Sequence, residues 1–229
     1  LYSKDILIEK CVLWNPAHRS NHSYYQDCVD IRGGTNGTNT SHNITFRGCW
    51  IFHEGSNGDA LMYAKGGTEN ILWENNIFGP SGGAGWHNPP IQAGLGDDDY
   101  DGYPYRSQKF VVRNNLFYGL NGECAFSFNG PKQAILYNNV FYKNINMSMA
   151  VITIAQNSGA TGGPAVGIYS INNIFYDNGT NIIYRVRDNA SGNNLKRDYN
   201  LYYLSGGGGD LSLSSESHSI FSAPSFVSN

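Results

Sequence analysis

The stretch GDDDYDG at 96–102 sets four carboxylates within five positions of a chain whose formal net charge is only −3. Like charges held that close repel, so a cation, nearby bases or full hydration must offset them. Asp97, Asp99 and Asp101 alternate and Gly102 follows, an arrangement in which three carboxylates converge on one calcium ion while the glycine makes the turn. The twelfth position from Asp97 is Gln108, where a helix-loop-helix calcium loop carries a bidentate Glu, and no helical pattern flanks the stretch. The pattern therefore points to calcium without pointing to that loop type. An exposed acidic loop is the plain alternative.

A second group of charges recurs along the chain. The segments DCVDIRGG at 27–34, DALMYAKGG at 59–67, PPIQAGLGDDD at 89–99 and ECAFSFNGP at 123–131 read as one series of short strands. Aligned from their first residues, they set Asp27, Asp59 and Glu123 in one column, and Arg32 and Lys65 follow the first two at nearly equal distances. Carboxylates stacked about 5 Å apart raise a carboxyl pKa, bind a cation or pair with the bases. Asx-turn bonds to backbone amides are the structural alternative. Two opposed carboxylates from Asp27, Asp30, Asp59 and Glu123 would also serve a glycoside hydrolase. Near the acidic stretch stand Trp86, His87, Tyr103 and Tyr105, with Arg106 just after. Aromatics of this kind stack on sugar faces while their polar tips stay wet, or pack a long loop down.

The elements that must position these residues are read from a repeat. ENNIF at 74–78, RNNLFY at 113–118, YNNVFY at 137–142 and INNIFY at 171–176 each follow a short alternating strand, and KCVLW at 10–14, GCWIF at 48–52 and DYNLYY at 198–203 extend the series. The aligned aromatics Trp14, Phe52, Phe78, Phe117, Phe141, Phe175 and Tyr202 are separated by 38, 26, 39, 24, 34 and 27 residues. The shortest gap sets a coil of about 24 residues, and the longer ones add loops to it, which is the signature of a solenoid. Short β-rich strands without crossover helices cannot make a doubly wound sheet, but they can stack coil on coil. The Asn pairs then become ladders of side-chain amides, the aromatics an interior stack, and Cys11 over Cys49 a neighbouring column. The expectation is an all-β single domain over 1–229, a solenoid of about 7–8 coils with a long loop insertion near 79–109.

This pattern resembles the right-handed parallel β-helix of the pectate lyase superfamily over nearly the whole chain, and the closing DYNLYY through HSIFSAPSFVSN resembles the terminal segment of bacterial proteins of that fold. The segment SHNITFRGCWIFHEGSNGDALMYAKGGTENILWENNIF resembles the calcium-site portion of such lyases, with Asp59 near a ligand position and Lys65 in the lysine-glycine turn. What the resemblance implies is β-elimination: calcium held by carboxylates neutralises a uronate, a base removes the adjacent ring proton, and the glycosidic oxygen leaves. Met62 stands where a second acidic ligand is expected, and LNGECAF at 120–126 has no arginine at the place of the family's base. The base is therefore sought among Lys65, Arg106, His87 and His53. Trp86, Tyr103, Tyr105 and Arg32 are the candidate substrate contacts, and Asp97, Asp99, Asp101, Asp27, Asp59 and Glu123 the candidate metal ligands.

Composition narrows the partners. Charged residues make up only 14% of the chain, so amides and hydroxyls solvate it, as suits a protein that handles sugars. A pI near 6.0 without a Lys/Arg run argues against nucleic acid and anionic membranes. No apolar run reaches the roughly 18 residues of a spanning helix. Cys11, Cys28, Cys49 and Cys124 lack zinc or disulfide-framework spacing and read as free thiols. Sequons at Asn21, Asn36, Asn39, Asn43, Asn146, Asn178 and Asn189 would accept glycans in a eukaryotic secreted chain. Leu1 opens almost directly into the strand DILIEK, so an upstream segment or partner chain is expected to cap that end. The leading expectation is a secreted or cell-surface, calcium-assisted lyase of an acidic polysaccharide. Its rivals are a non-catalytic glycan-binding or structural module and, third, a glycoside hydrolase.

Overall fold

The computed structural model describes residues 3–15, 28–33, 41–53, 60–81, 90–95, 107–155, 165–180, 182–186, 195–205 and 216–224. Three all-parallel sheets wind into a right-handed β-helix of about seven coils. Sheet A stacks β1 (Lys4–Glu9), β4 (His42–Arg47), β7 (Glu69–Glu74), β10 (Gln108–Arg113), β13 (Lys132–Tyr137), β16 (Val166–Ile171) and β19 (Leu195–Asp198). Sheet B stacks β2 (Val12–Asn15), β5 (Trp50–His53), β8 (Ile77–Ser81), β11 (Leu116–Tyr118), β14 (Val140–Tyr142), β17 (Ile174–Tyr176) and β20 (Leu201–Tyr203). Sheet C stacks β3 (Val29–Arg32), β6 (Met62–Lys65), β9 (Ile91–Leu95), β12 (Phe126–Asn129), β15 (Ile152–Ala155) and β18 (Tyr184–Val186). The span 79–109 is thus not one loop, because β9 inside it supplies a strand to sheet C.

The corner from sheet A to sheet B takes two residues in every coil. Its first residue is left-handed each time: Lys10, Gly48, Asn75, Asn114, Asn138, Asn172 and Tyr199 all have φ between 53° and 62°. Asn tolerates that conformation better than most side chains, which explains its recurrence there. The second residue turns inward, and Asn76, Asn115, Asn139, Asn173 and Asn200 form the expected buried ladder. From Asn115 onward each Oδ1 accepts the backbone N–H and the Nδ2 of the preceding coil's Asn, as when Asn115 donates both to Asn139 at 3.0 Å. Each Nδ2 also donates to a carbonyl, that of Asn139 to Val112 at 2.9 Å. Cys11 and Cys49 continue the column at its start, Cys49 N–H donating to Asn76 Oδ1 at 2.9 Å.

The interior aromatic column runs Phe78, Phe117, Phe141, Phe175 and Tyr202, stacked with centroids 5.0, 4.5, 4.9 and 5.3 Å apart. Two of the aligned aromatics do not belong to it. The register pairs Phe78 with Ile51 and Phe52 with Trp14, so Ile51 continues the interior column while Trp14 and Phe52 stack on the outer face. The first two repeats align one residue away from the rest, and a one-residue offset in a strand exchanges its faces.

At the far end, Ile220 bridges to Leu201, Ser219 Oγ takes the place of the next Asn by accepting Asn200 N–H, and Phe221 stacks on Tyr202. Asn178, one of the sequons, is spent inside. It is buried in a second, shorter ladder, where its Oδ1 accepts from Asn144 and its Nδ2 donates to the Phe141 carbonyl at 3.1 Å. The four cysteines are free thiols, Cys49 and Cys124 buried and Cys11 and Cys28 half-buried.

Candidate functional site

Sheet C is built from strands whose alternate residues face away from the core. Ile31, Ala64, Ala93, Phe128 and Ile154 point inward as one column of the apolar core. The residues between them form an outward row: Asp30, Tyr63, Gln92, Ser127 and Thr153, in register across five coils and continued by Arg185. A second row starts with Arg32 opposite Lys65. These are the polar side chains of an otherwise apolar strand series, and their alternation places them all on one surface.

Three charged groups converge at the start of that surface. Asp30 Oδ2 accepts from Arg32 Nε at 2.7 Å and lies 3.8 Å from Lys65 Nζ, which stands 4.5 Å over the Tyr63 ring. The Lys65 side chain is only 9% exposed and that of Asp30 24%, so the Lys65–Asp30 pair is drawn out of water, whereas Arg32 at 62% reaches into it. Backbone packing fixes the placement. Immediately after Lys65, Gly66 and Gly67 turn the chain with positive φ. Gly33, after Arg32, lies so close to this turn that a Cβ would stand 1.7 Å from the Gly66 carbonyl oxygen. Only glycine fits there, so the two basic residues are held level by the tight passage of two coils.

Further along the sheet the groups become neutral. Gln92, Ser127 and Thr153 are buried although they face outward. Thr153 donates to Ser127 Oγ at 2.9 Å, Ser127 donates to Asn129 Oδ1 at 3.1 Å, and Cys124 Sγ stands 3.4 Å from the Thr153 hydroxyl. Hydroxyls both donate and accept, so these buried groups satisfy one another and fix the half-buried Asn129 amide at the end of the chain of bonds. Cations at one end and hydroxyls and amides at the other can hold an anionic group beside a run of alcohols.

Of the residues singled out in the sequence, Lys65 and Arg32 are brought together here. Glu123 precedes β12, three coil spacings from Asp30, roughly 14 Å along the axis. That is wider than the roughly 5–9.5 Å between the carboxyls of a glycosidase pair, so Asp30 and Glu123 do not make one. His53 ends β5 on sheet B and is buried there, on a different sheet from Lys65. Asp27, Asp59, Trp86, His87, Asp97, Asp99, Asp101, Tyr103, Tyr105 and Arg106 lie outside the described residues. Among the described residues no group of three or more His, Cys, Asp or Glu side chains is placed to hold a metal, and Asp30, the one carboxylate on a described sheet C strand, is already engaged by two cations. Those residues do not fit a calcium site by themselves. Tyr63, Gln92, Ser127, Asn129 and Thr153 were not singled out in the sequence. Period-two alternation within the second strand series is the signal that marks them. Start-to-start alignment obscured it, because the register sets Asp30 opposite Tyr63, one residue away from that alignment.

A scan of protein-family models finds none that matches the chain, and searches of curated proteins and of solved structures give no match either.

Proposed function

We propose that the chain is a secreted or cell-surface carbohydrate-active β-helix protein that takes an acidic, uronate-containing polysaccharide on the outer face of sheet C and cleaves it by β-elimination, in the manner of the pectate lyase superfamily. The observation that carries this reading is the Arg32–Asp30–Lys65 cluster at the head of a row of hydroxyls and amides. Arg32, half in water and held by Asp30, binds a uronate carboxylate and so favours loss of the neighbouring ring proton. Lys65 is the base that takes that proton. Tyr63 shields one side of its amine, and the half-buried Asn129, oriented by the buried Ser127 and Thr153 behind it, bonds a sugar hydroxyl of a flanking unit. Calcium would add charge neutralisation at the uronate. Asp97, Asp99 and Asp101 are its proposed ligands, and no step above is routed through it.

The test is turnover of uronic-acid polymers followed by the ultraviolet absorbance of the unsaturated product, with and without calcium. Product formation by the parent that falls by about 10²-fold or more in Lys65→Met is the expected result, the size of a general-base contribution. A second reading, a non-catalytic glycan-binding module, is favoured by one specific observation: Asp30 holds both cations in ion pairs. That reading predicts glycan binding by the parent without any product.

A further inference from the structure

Sheet B presents a surface of a different kind. At its outward positions runs one unbroken apolar column, Val12, Trp50, Ile77, Leu116, Val140, Ile174 and Leu201, in register coil by coil. Val12, Trp50 and Ile77 are 65%, 40% and 40% exposed. Beside it, towards the sheet C side, stands a column of phenols, Tyr118, Tyr142, Tyr176 and Tyr203. Tyr142, Tyr176 and Tyr203 stack with centroids 5.3 and 5.0 Å apart. Their faces are used on one another and, at Tyr142, on Lys143, whose Nζ stands 5.3 Å from the ring centroid, so the hydroxyls remain for a ligand. Along the opposite margin run the exposed corner amides of Asn75, Asn114, Asn138 and Asn172, the last two bonded at 2.7 Å. No Asp, Glu, Lys or Arg occupies an outward position of the described sheet B strands.

We propose that this face is a binding track for an extended, uncharged β-1,4-linked glycan running parallel to the solenoid axis. A pyranose chain joined by equatorial β-1,4 linkages has apolar ring faces and hydroxyl-bearing edges, and here an apolar floor lies between an amide rail and a hydroxyl rail. The rails repeat at the coil spacing of about 4.8 Å, close to the advance of one sugar unit in such a chain. At the N-terminal end the floor becomes aromatic. Trp50 Nε1 donates to the Gly79 carbonyl of the next coil at 2.8 Å, which pins the indole along the axis, with Phe52 4.5 Å away and Trp14 stacked beyond it. A ring fixed before the ligand arrives lowers the ordering cost of an aromatic–sugar contact.

Area decides the class of occupant. Six coil steps of about 4.8 Å by a strand width of about 12 Å give roughly 350 Å², well below the roughly 800 Å² per partner of a stable protein interface. A single glycan chain is narrow enough to be covered by it.

The experiment is calorimetric titration of the full chain with cellohexaose and mannohexaose. The variants are Trp50→Ala, Tyr142→Phe with Tyr176→Phe, and Lys65→Met, each checked by thermal melting. Binding of a neutral hexasaccharide that weakens about tenfold in the Trp50 variant and drops in the double tyrosine variant, yet is unchanged in Lys65→Met, is the expected result. No binding of either hexasaccharide overturns the proposal, and so does binding lost only in Lys65→Met, which would move it to sheet C. A concentration-dependent dimer in sedimentation that Trp50→Ala dissociates also overturns it, by making the face a protein interface. These readouts use uncharged sugars and no turnover, so they stand or fall apart from the lyase reading.

Discussion

At the scale of single residues, the buried amides are where the coils are tied together. Asn139 is fully buried and bonds two coils at once, donating to Val112 O and Asn173 Oδ1 and accepting from Asn115. Asn139→Ala leaves those partners unsatisfied in the interior, where an orphaned group costs about 1–3 kcal/mol. We therefore expect a loss of about 3 kcal/mol or more by denaturant unfolding, against about 1 kcal/mol for the exposed Asn138→Ala, which loses left-handed tolerance and one solvent-exposed bond from Asn172. Equal losses at the two positions would contradict the ladder's role. Charge acts on sheet A, where Glu74 lies between Arg47 at 2.5 Å and Arg113 at 2.5 Å. Burial works to raise the Glu74 carboxyl, but hydrogen bonds from Arg47 and Arg113 outweigh it and hold it below the ordinary carboxylate value. A carboxyl depressed on folding contributes stability above its unfolded pKa of about 4.3, and that stability drains away as pH falls through the lower folded value. Melting temperature should therefore drop below about pH 4.5, and Glu74→Gln should flatten that acid limb. A variant with the same acid limb as the parent would remove Glu74 from the explanation.

At the scale of elements, the interior stack should carry more than its outer neighbours. Phe141 lies between Phe117 and Phe175 with no exposure, so Phe141→Ala is expected to cost about 3–5 kcal/mol, whereas Tyr142→Phe on the outer face should change stability by less than about 0.5 kcal/mol. Parallel unfolding titrations compare the two. The strands and the seven-coil solenoid were legible in the sequence because NNIF and its variants repeat the same burial pattern at a spacing only a stacked coil can use. What misled was register. GCWIF sets its glycine and cysteine where ENNIF has its two asparagines, so matching the final aromatic shifts the strand by one residue and moves Phe52 from the core to the surface. The same slip at the head of the second strand series hid the row Asp30, Tyr63, Gln92, Ser127 and Thr153. Arg32 and Lys65 drew notice in the sequence by following Asp27 and Asp59 at nearly equal distances, and the structure adds that the glycines after them mark a close passage of two coils. Gly33→Ala is expected to push that passage apart and weaken polysaccharide binding together with stability. Wild-type binding and melting in Gly33→Ala would show that Lys65 does not depend on it.

At the scale of the whole molecule, the solenoid closes on a polar plug. The Glu216 side chain is fully buried and bonds Tyr202 OH at 2.7 Å, Asn200 Nδ2 at 3.1 Å and Ser219, with Arg197 at 3.4 Å. Burial, with Glu216 and Tyr184 adding to it, pushes the Tyr202 hydroxyl far above its ordinary pKa, so the phenol stays a donor to the carboxylate. Because each coil of a solenoid leans mainly on its neighbours, Glu216→Leu should speed hydrogen exchange in 195–205 while leaving 107–142 protected. Uniform loss of protection would mean the coils unfold as one unit instead. The same regularity divides the surface by sheet: charge and hydroxyls on sheet C, apolar and phenolic columns on sheet B. Turnover is the most direct test of what the sheet C face does. Parent and Lys65→Met would be incubated with uronic-acid polymers, recording unsaturated product by its ultraviolet absorbance alongside reducing ends. Both signals rising together in the parent and collapsing in Lys65→Met is the predicted result. Reducing ends without the absorbance, or no product from any such polymer with or without calcium, would contradict it.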